Sequence, residues 1–203
     1  GLSISNFSPS ALGAAGVLHT VDTAIGMKAR NTMHNRLRAD AFVPCGGRPN
    51  TIDMTNYHHF LLKDGTPSSP LIVEGANLFV TAEARDALFK EAGVSIVKDS
   101  SANKGGVITS SYEICAAMLL SEDEFFENKE TIVNEVLEKV RGLAKMEAVL
   151  LFREFEDYYV GSSLPEVSQI ISHCINTTTD ALTEALDTLT ETDRESLLPL
   201  FRA

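Results

Sequence analysis

Two short apolar runs separated by one helix-length segment restrict the architecture of this chain more than any other feature. SPLIVEGAN occupies residues 69–77 and GVSIVKD residues 93–99, and each reads as a buried strand, being β-branched and too short for a helix. Between them lies TAEARDALFKEAG. There Thr81 can cap a helix start, Ala84, Ala87 and Leu88 recur at helical spacing, and Gly93 stands where a helix closes. Strand, helix and strand joined by short loops make a βαβ unit, with parallel strands and a right-handed crossover. A third run, ADAFVPC at 39–45, reads as another strand, and the stretch after Asn56, with Tyr57, Phe60 and Leu61, as the helix of a preceding unit.

The character of the chain changes at Ser121. Residues 105–120 read as a helix of small and apolar side chains, and SEDE at 121–124 is a capping box whose three acids suit the positive end of a helix. Ile132, Val133, Val136, Leu137, Val140, Leu143, Ala144, Leu151, Phe152 and Phe155 then form the stripe of an amphipathic helix of about 30 residues. A second stripe runs from Val167 to Leu189, and TDRE at 192–195 reads as the capping box of a short last helix. Charge divides at the same place. Residues 1–120 hold ten acids and ten Lys/Arg, so the whole net charge of −11 lies in residues 121–203. The sequence therefore predicts an α/β half over 1–120 and an acidic, all-helical half over 121–203.

Composition excludes several classes. With 203 residues, 44 % hydrophobic and 22 % charged, the chain can bury a full core. No apolar run approaches the roughly 18 residues of a membrane span, and the small-residue start has no basic flank of a secretory signal, so no membrane partner is expected. Neither half clusters Lys and Arg as a phosphate-binding surface would, which argues against nucleic acid. Cys45, Cys115 and Cys174 are odd in number and form no CxxC pair, so a reducing compartment, cytoplasmic or mitochondrial, is expected. His58 and His59 lack acidic neighbours at ligand spacing, and no metal site is expected.

In an open parallel sheet, ligands bind beyond the carboxyl ends of the strands. Those ends read Cys45-Gly46-Gly47, Glu74-Gly75-Ala76-Asn77, and Asp99 through Gly106, and all three are small-residue loops carrying glycine. Glycine admits close approach of another group. Asn77 and Asn103 each offer an amide donor and a carbonyl acceptor, suited to a carboxamide or a ribose hydroxyl, or else to their own turns. Ser110 lies two helical turns beyond Asn103 and can face the same crevice, or bond back to its own helix. The amides at the start of that helix favour an anion, and Lys104 either contacts one or is solvated. Nothing around Cys45 activates it as a nucleophile, and no catalytic residue is expected in this chain.

VPCGGRPNTI, IVEGANLFVTAEAR and KDSSANKGGVITSSYE, in this order, resemble the cofactor-binding domain of the glutamate dehydrogenases, within the glutamate, leucine, phenylalanine and valine dehydrogenase superfamily. CGGRP, EGANLF and DSSANKGG resemble the large NAD-specific class, as does RNTMH at 30–34, with Met33 in place of an aromatic residue. The resemblance implies a partial Rossmann-like parallel sheet over 1–120, the second half of a dinucleotide-binding domain, followed by the helical extension. It also implies oxidative deamination of L-glutamate to 2-oxoglutarate and ammonia, with NAD as cofactor. Carried onto this chain, Cys45, Gly46 and Gly47 would lie against the cofactor near its nicotinamide half. Asn77 would bind the nicotinamide or its ribose, Asn103 the nicotinamide and substrate region, and Ser110 a carboxylate of glutamate. No GxGxxG fingerprint and no counterpart of the family's substrate-domain lysines occur here. The chain then reads as a C-terminal piece, inactive alone. Half a sheet leaves an apolar edge, so a homo-oligomer is expected. The other readings are a different amino-acid dehydrogenase of the superfamily, and a non-catalytic assembly or regulatory module that kept the fold.

Overall fold

The structure is a computed structural model that describes residues 31–201, except Arg36, Gly47 and the side chains of 198–201. It is a mostly helical α/β arrangement with a small parallel sheet. Strand β1, Leu71–Val73, is followed by helix α1, Ala82–Ala92, and strand β2, Ser95–Val97. The strands pair in parallel, Ile72 opposite Ile96. The expected caps hold α1 at both ends: Thr81 Oγ1 accepts the Ala84 amide at 3.3 Å, and Gly93 turns left-handed at φ 64°.

The run at 39–45 does not extend into a full strand. Phe42 makes one parallel bridge to Ile72, its amide donating to Leu71 O at 2.8 Å and its carbonyl accepting from the Val73 amide at 2.9 Å. Pro44 has no amide hydrogen for the next rung, and its carbonyl instead accepts from the Ala76 amide at 2.7 Å. β1 therefore lies between Phe42 and β2. The stretch after Asn56 likewise shortens to one 3-10 turn, Tyr57–Phe60, because the chain reverses at Gly65, where φ is 80°.

Around β1 the core gathers Ile52, Phe60, Ile72, Phe79, Val80, Ala84, Leu88, Val94 and Ile96, with Phe42 and Tyr57 packed against it. The pleat sends Ile72 and Ile96 to the same face, where the Ala84 and Leu88 side of α1 covers them. Each large aliphatic side chain fully buried there contributes roughly 1.5–3 kcal/mol. His34 stacks on Phe42, ring centroids 5.0 Å apart, and burial lowers its imidazole pKa below the ordinary value.

Beyond β2 come α2, Asp99–Ala102, where an open loop was expected, then α3, Gly105–Leu119, and α4, Glu122–Asp157. Helices α5, Leu164–Asp187, and α6, Glu191–Phe201, complete the described chain. α4 has 36 residues, roughly 54 Å long, and begins at the predicted Ser121–Glu124 capping box. A second capping box, Ser163 with Glu166, starts α5. The last helix starts earlier than TDRE suggests. Two overlapping Thr-x-x-acid spacings compete, and Thr190 with Asp193 makes the cap, leaving Thr192 inside the helix.

The long helices join the α/β part at one end. Leu151, Leu164 and Val167 are buried together with Val97 of β2, Phe155, Tyr159 and Ile171 packed on them. Further out, Phe126, Val133 and Leu137 on α4 and Ile175, Leu182 and Leu186 on α5 stay exposed. α3 has no buried residue at all, although Val107, Ile114, Met118 and Leu119 lie on it. Among the described residues, no helix is long and apolar enough to cross a membrane.

Candidate functional site

The structure brings the strand-end loops into contact in two places. The loop after Phe42 and the loop after β1 meet through the Ala76 amide and Pro44 O. The fit is close: a Cβ on Gly75 would sit 3.1 Å from both Cys45 Sγ and Pro44 O, so a larger residue would have to push the neighbouring loop aside. Cys45 itself is exposed and free. Gly46 has nothing within 4 Å of the position a Cβ would take, and Gly47 lies outside the described residues.

Loops two and three meet through the asparagines. The Asn103 side-chain amide donates to Asn77 Oδ1. This single bond leaves Asn77 Nδ2 as a donor and Asn103 Oδ1 as an acceptor, neither with a hydrogen-bond partner among the described residues. A donor and an acceptor side by side complement one primary carboxamide, whose oxygen accepts while its nitrogen donates. The pair is polar, accessible and neutral.

Beneath the asparagines runs a charged network that sequence reasoning did not single out. Glu74, fully buried at the end of β1, accepts the Val80 amide at 2.9 Å and Arg85 Nε at 2.8 Å. Arg85 Nη2 lies 2.8 Å from the same carboxylate and 3.7 Å from Asp99 Oδ1. Asp99 in turn accepts the Leu78 and Ser100 amides, each at 2.8 Å. Leu78 has φ 54°, unusual for a side chain of its size, and the bond to Asp99 holds its amide there. Burial raises the Glu74 carboxyl above its ordinary range, against the pull of the Val80 amide and Arg85. Asp99 is also pushed up by burial, but the Leu78 and Ser100 amides and Arg85 prevail and hold it below its ordinary value. A signal existed: Glu74 interrupts a fully apolar run, and Arg85 is the one basic residue between positions 64 and 89.

Ser110 stands apart from these contacts. Its neighbours Thr109 and Ser111 bond back to Gly105 O and Val107 O, whereas the exposed Ser110 hydroxyl has no partner among the described residues and no bond to either asparagine. Lys104 is engaged elsewhere, its ammonium paired with Glu147 of α4 at 2.6 Å. No side chain caps the start of α3. His58 and His59 lie exposed on the surface with their rings 4.3 Å apart.

Comparison with known proteins bears on the same residues. The chain matches the family model described as Glutamate/Leucine/Phenylalanine/Valine dehydrogenase over residues 13–161. It is 41 % identical over 141 residues to the probable NAD-specific glutamate dehydrogenase of Schizosaccharomyces pombe, covering 66 % of this chain and 12 % of that protein. With the NAD-specific glutamate dehydrogenase of Saccharomyces cerevisiae it shares 36 % identity over 208 residues, 88 % of this chain and 19 % of the relative. Glutamate dehydrogenase 2 of Dictyostelium discoideum is 38 % identical over 170 residues, 77 % of this chain and 16 % of that protein. The chain thus spans less than a fifth of the length of each of these relatives.

Proposed function

This chain belongs to the glutamate/leucine/phenylalanine/valine dehydrogenase family, and from that premise we propose that it forms part of an NAD-dependent glutamate dehydrogenase. The reaction oxidises L-glutamate with NAD and water to 2-oxoglutarate, ammonium, NADH and a proton. Residues 1–120 then supply the second half of a Rossmann-like domain, and 121–203 its helical extension. The observation that carries this reading is the open donor and acceptor of Asn77 and Asn103, which match the carboxamide of nicotinamide.

NAD, when bound, accepts the hydride; this chain binds and orients. The loops that carry Cys45 and Gly46 and Gly75 to Asn77 give a surface of small residues, against which the nicotinamide half can lie. Asn77 and Asn103 fix the rotation of its ring, which determines the face presented to the amino acid. The Ser110 hydroxyl donates to a glutamate carboxylate, and the uncapped start of α3 adds its partial positive charge. No residue of this chain is assigned proton transfer, so the 203 residues alone should not turn over glutamate.

Exposed apolar residues on α3 and α4 support the same view, since other parts of a larger enzyme or a second copy in a homo-oligomer would cover them. Steady-state rates of the enzyme carrying this chain, with NAD and glutamate, leucine or phenylalanine, test the reading. Glutamate should be preferred by orders of magnitude. A preference for leucine or phenylalanine would place the chain in another branch of the family, and no turnover of any of the three would favour an assembly or regulatory module.

A further inference from the structure

The loop that carries Asn103 is fastened to the acidic helical region by two polar ties. Lys104 Nζ lies 2.6 and 2.7 Å from the two carboxylate oxygens of Glu147 on α4, and Ser101 and Ser168 of α5 share a hydrogen bond of 2.8 Å. Between loop and helix lies a groove of about 590 Å³, with Ser101, Lys104 and Gly105 on one wall and Val140, Leu143 and Glu147 on the other. Packing across it is sparse: a Cβ on Gly105 would meet only Val140 Cγ1, at 3.5 Å. Where close packing does not fix a segment, directional polar contacts do.

Asn103 and Lys104 are consecutive, and these two residues alone join α2 to α3. Displacing the Lys104 backbone therefore displaces Asn103 with it. We propose that Glu147, through its ion pair with Lys104, is a positioning residue that holds Asn103 in register for the nicotinamide carboxamide. This rests on the glutamate dehydrogenase reading and gives the helical region a role in cofactor binding. The pair is partly exposed, Lys104 by 47 % and Glu147 by 31 %, so its influence is modest. An exposed ion pair changes an equilibrium by up to about fivefold, and salt screens it.

Two measurements test this. Hydrogen exchange on the 203-residue chain compares the wild type with Glu147→Ala and the charge swap Lys104→Glu/Glu147→Lys. In the enzyme that carries the chain, the same variants are assayed for the dissociation constant of NAD and for kcat. Glu147→Ala should speed exchange of the amides at 101–106 and raise the NAD dissociation constant about twofold to fivefold, with a smaller effect on kcat. The swap should restore both. Unchanged exchange in Glu147→Ala, or faster exchange with unchanged NAD affinity, overturns the proposal. A swap that restores exchange and not affinity also overturns it, because Lys104 would then contact the cofactor itself. An enzyme that binds NAD but does not oxidise glutamate refutes the functional reading and leaves these outcomes still legible.

Discussion

Replacing Arg85 by Met tests whether the buried network under the two asparagines is what secures their loops. The substitution keeps most of the side-chain volume and removes the charge that faces Glu74, which has no solvent exposure. Two of the three close contacts of that carboxylate, the Arg85 Nε and Nη2 contacts at 2.8 Å, disappear, and only the Val80 amide remains. Removing one partner of a buried ion pair costs about 3–5 kcal/mol, because the other charge is left without compensation. The loss should depend on pH. Burial already holds the Glu74 carboxyl above its ordinary range, and losing Arg85 raises it further. A raised carboxyl binds its proton more tightly in the folded state than in the unfolded one. The associated stability is present at low pH and lost as pH rises through the folded value. The deficit of Arg85→Met relative to wild type is therefore expected to be smaller at about pH 5 than at about pH 8. Native-state hydrogen exchange at the Phe42, Val73 and Glu74 amides, all donors in the sheet, measures the opening free energy locally. Adding Glu74→Gln to the Arg85→Met chain should recover a large part of the loss. A loss below about 1 kcal/mol that is the same at both pH values would refute the reasoning.

Three further substitutions probe the scaffold. Gly75→Ala forces a methyl group to 3.1 Å from the Pro44 carbonyl, and should cost roughly 1–3 kcal/mol in thermal unfolding while raising the KM for NAD in the parent enzyme. Gly93→Ala meets no neighbour but must hold φ 64°, so a loss of roughly 1–2 kcal/mol, confined in hydrogen exchange to the end of α1 and the start of β2, is expected. Ser163→Ala removes the side-chain half of the α5 capping box and should cost about 1 kcal/mol, seen as faster exchange of the Glu166 and Val167 amides.

Elements set by local rules were legible in the sequence. Thr81, Gly93 and the Ser121 box each act within a few residues, and α1 and α4 start where Thr81 and the Ser121 box put them. What depended on distant partners was less legible. Whether ADAFVPC becomes a strand turns on one missing amide, that of Pro44, and on what Ala76 does in response. The Ser163 box was present in the sequence as Ser-x-x-Glu, with Pro165 in the first turn where proline is tolerated, and is easily passed over in favour of the stripe that begins at Val167. At the site, side-chain chemistry pointed to Asn77 and Asn103, and the structure adds that they bond each other and so divide donor from acceptor. The Glu74–Arg85–Asp99 network joins residues 11 and 14 positions apart, a distance that periodicity does not register. Lys104 looked free because its partner is 43 residues away on another helix.

The central proposal is a division of labour, with Asn103 serving the nicotinamide and Ser110 the amino acid. Parallel titrations of the enzyme carrying Asn103→Ala and Ser110→Ala test it most directly, reading the NAD dissociation constant and the KM for glutamate in each. Loss of a hydrogen bond to a neutral group is worth about 0.5–1.5 kcal/mol, and to a charged one about 1.5–3. Asn103→Ala should therefore weaken NAD about twofold to tenfold, and Ser110→Ala should raise the KM for glutamate by about tenfold or more while leaving NAD affinity unchanged. Both constants unaffected in both variants, or a reversed pattern in which Ser110→Ala weakens only NAD, would contradict the account.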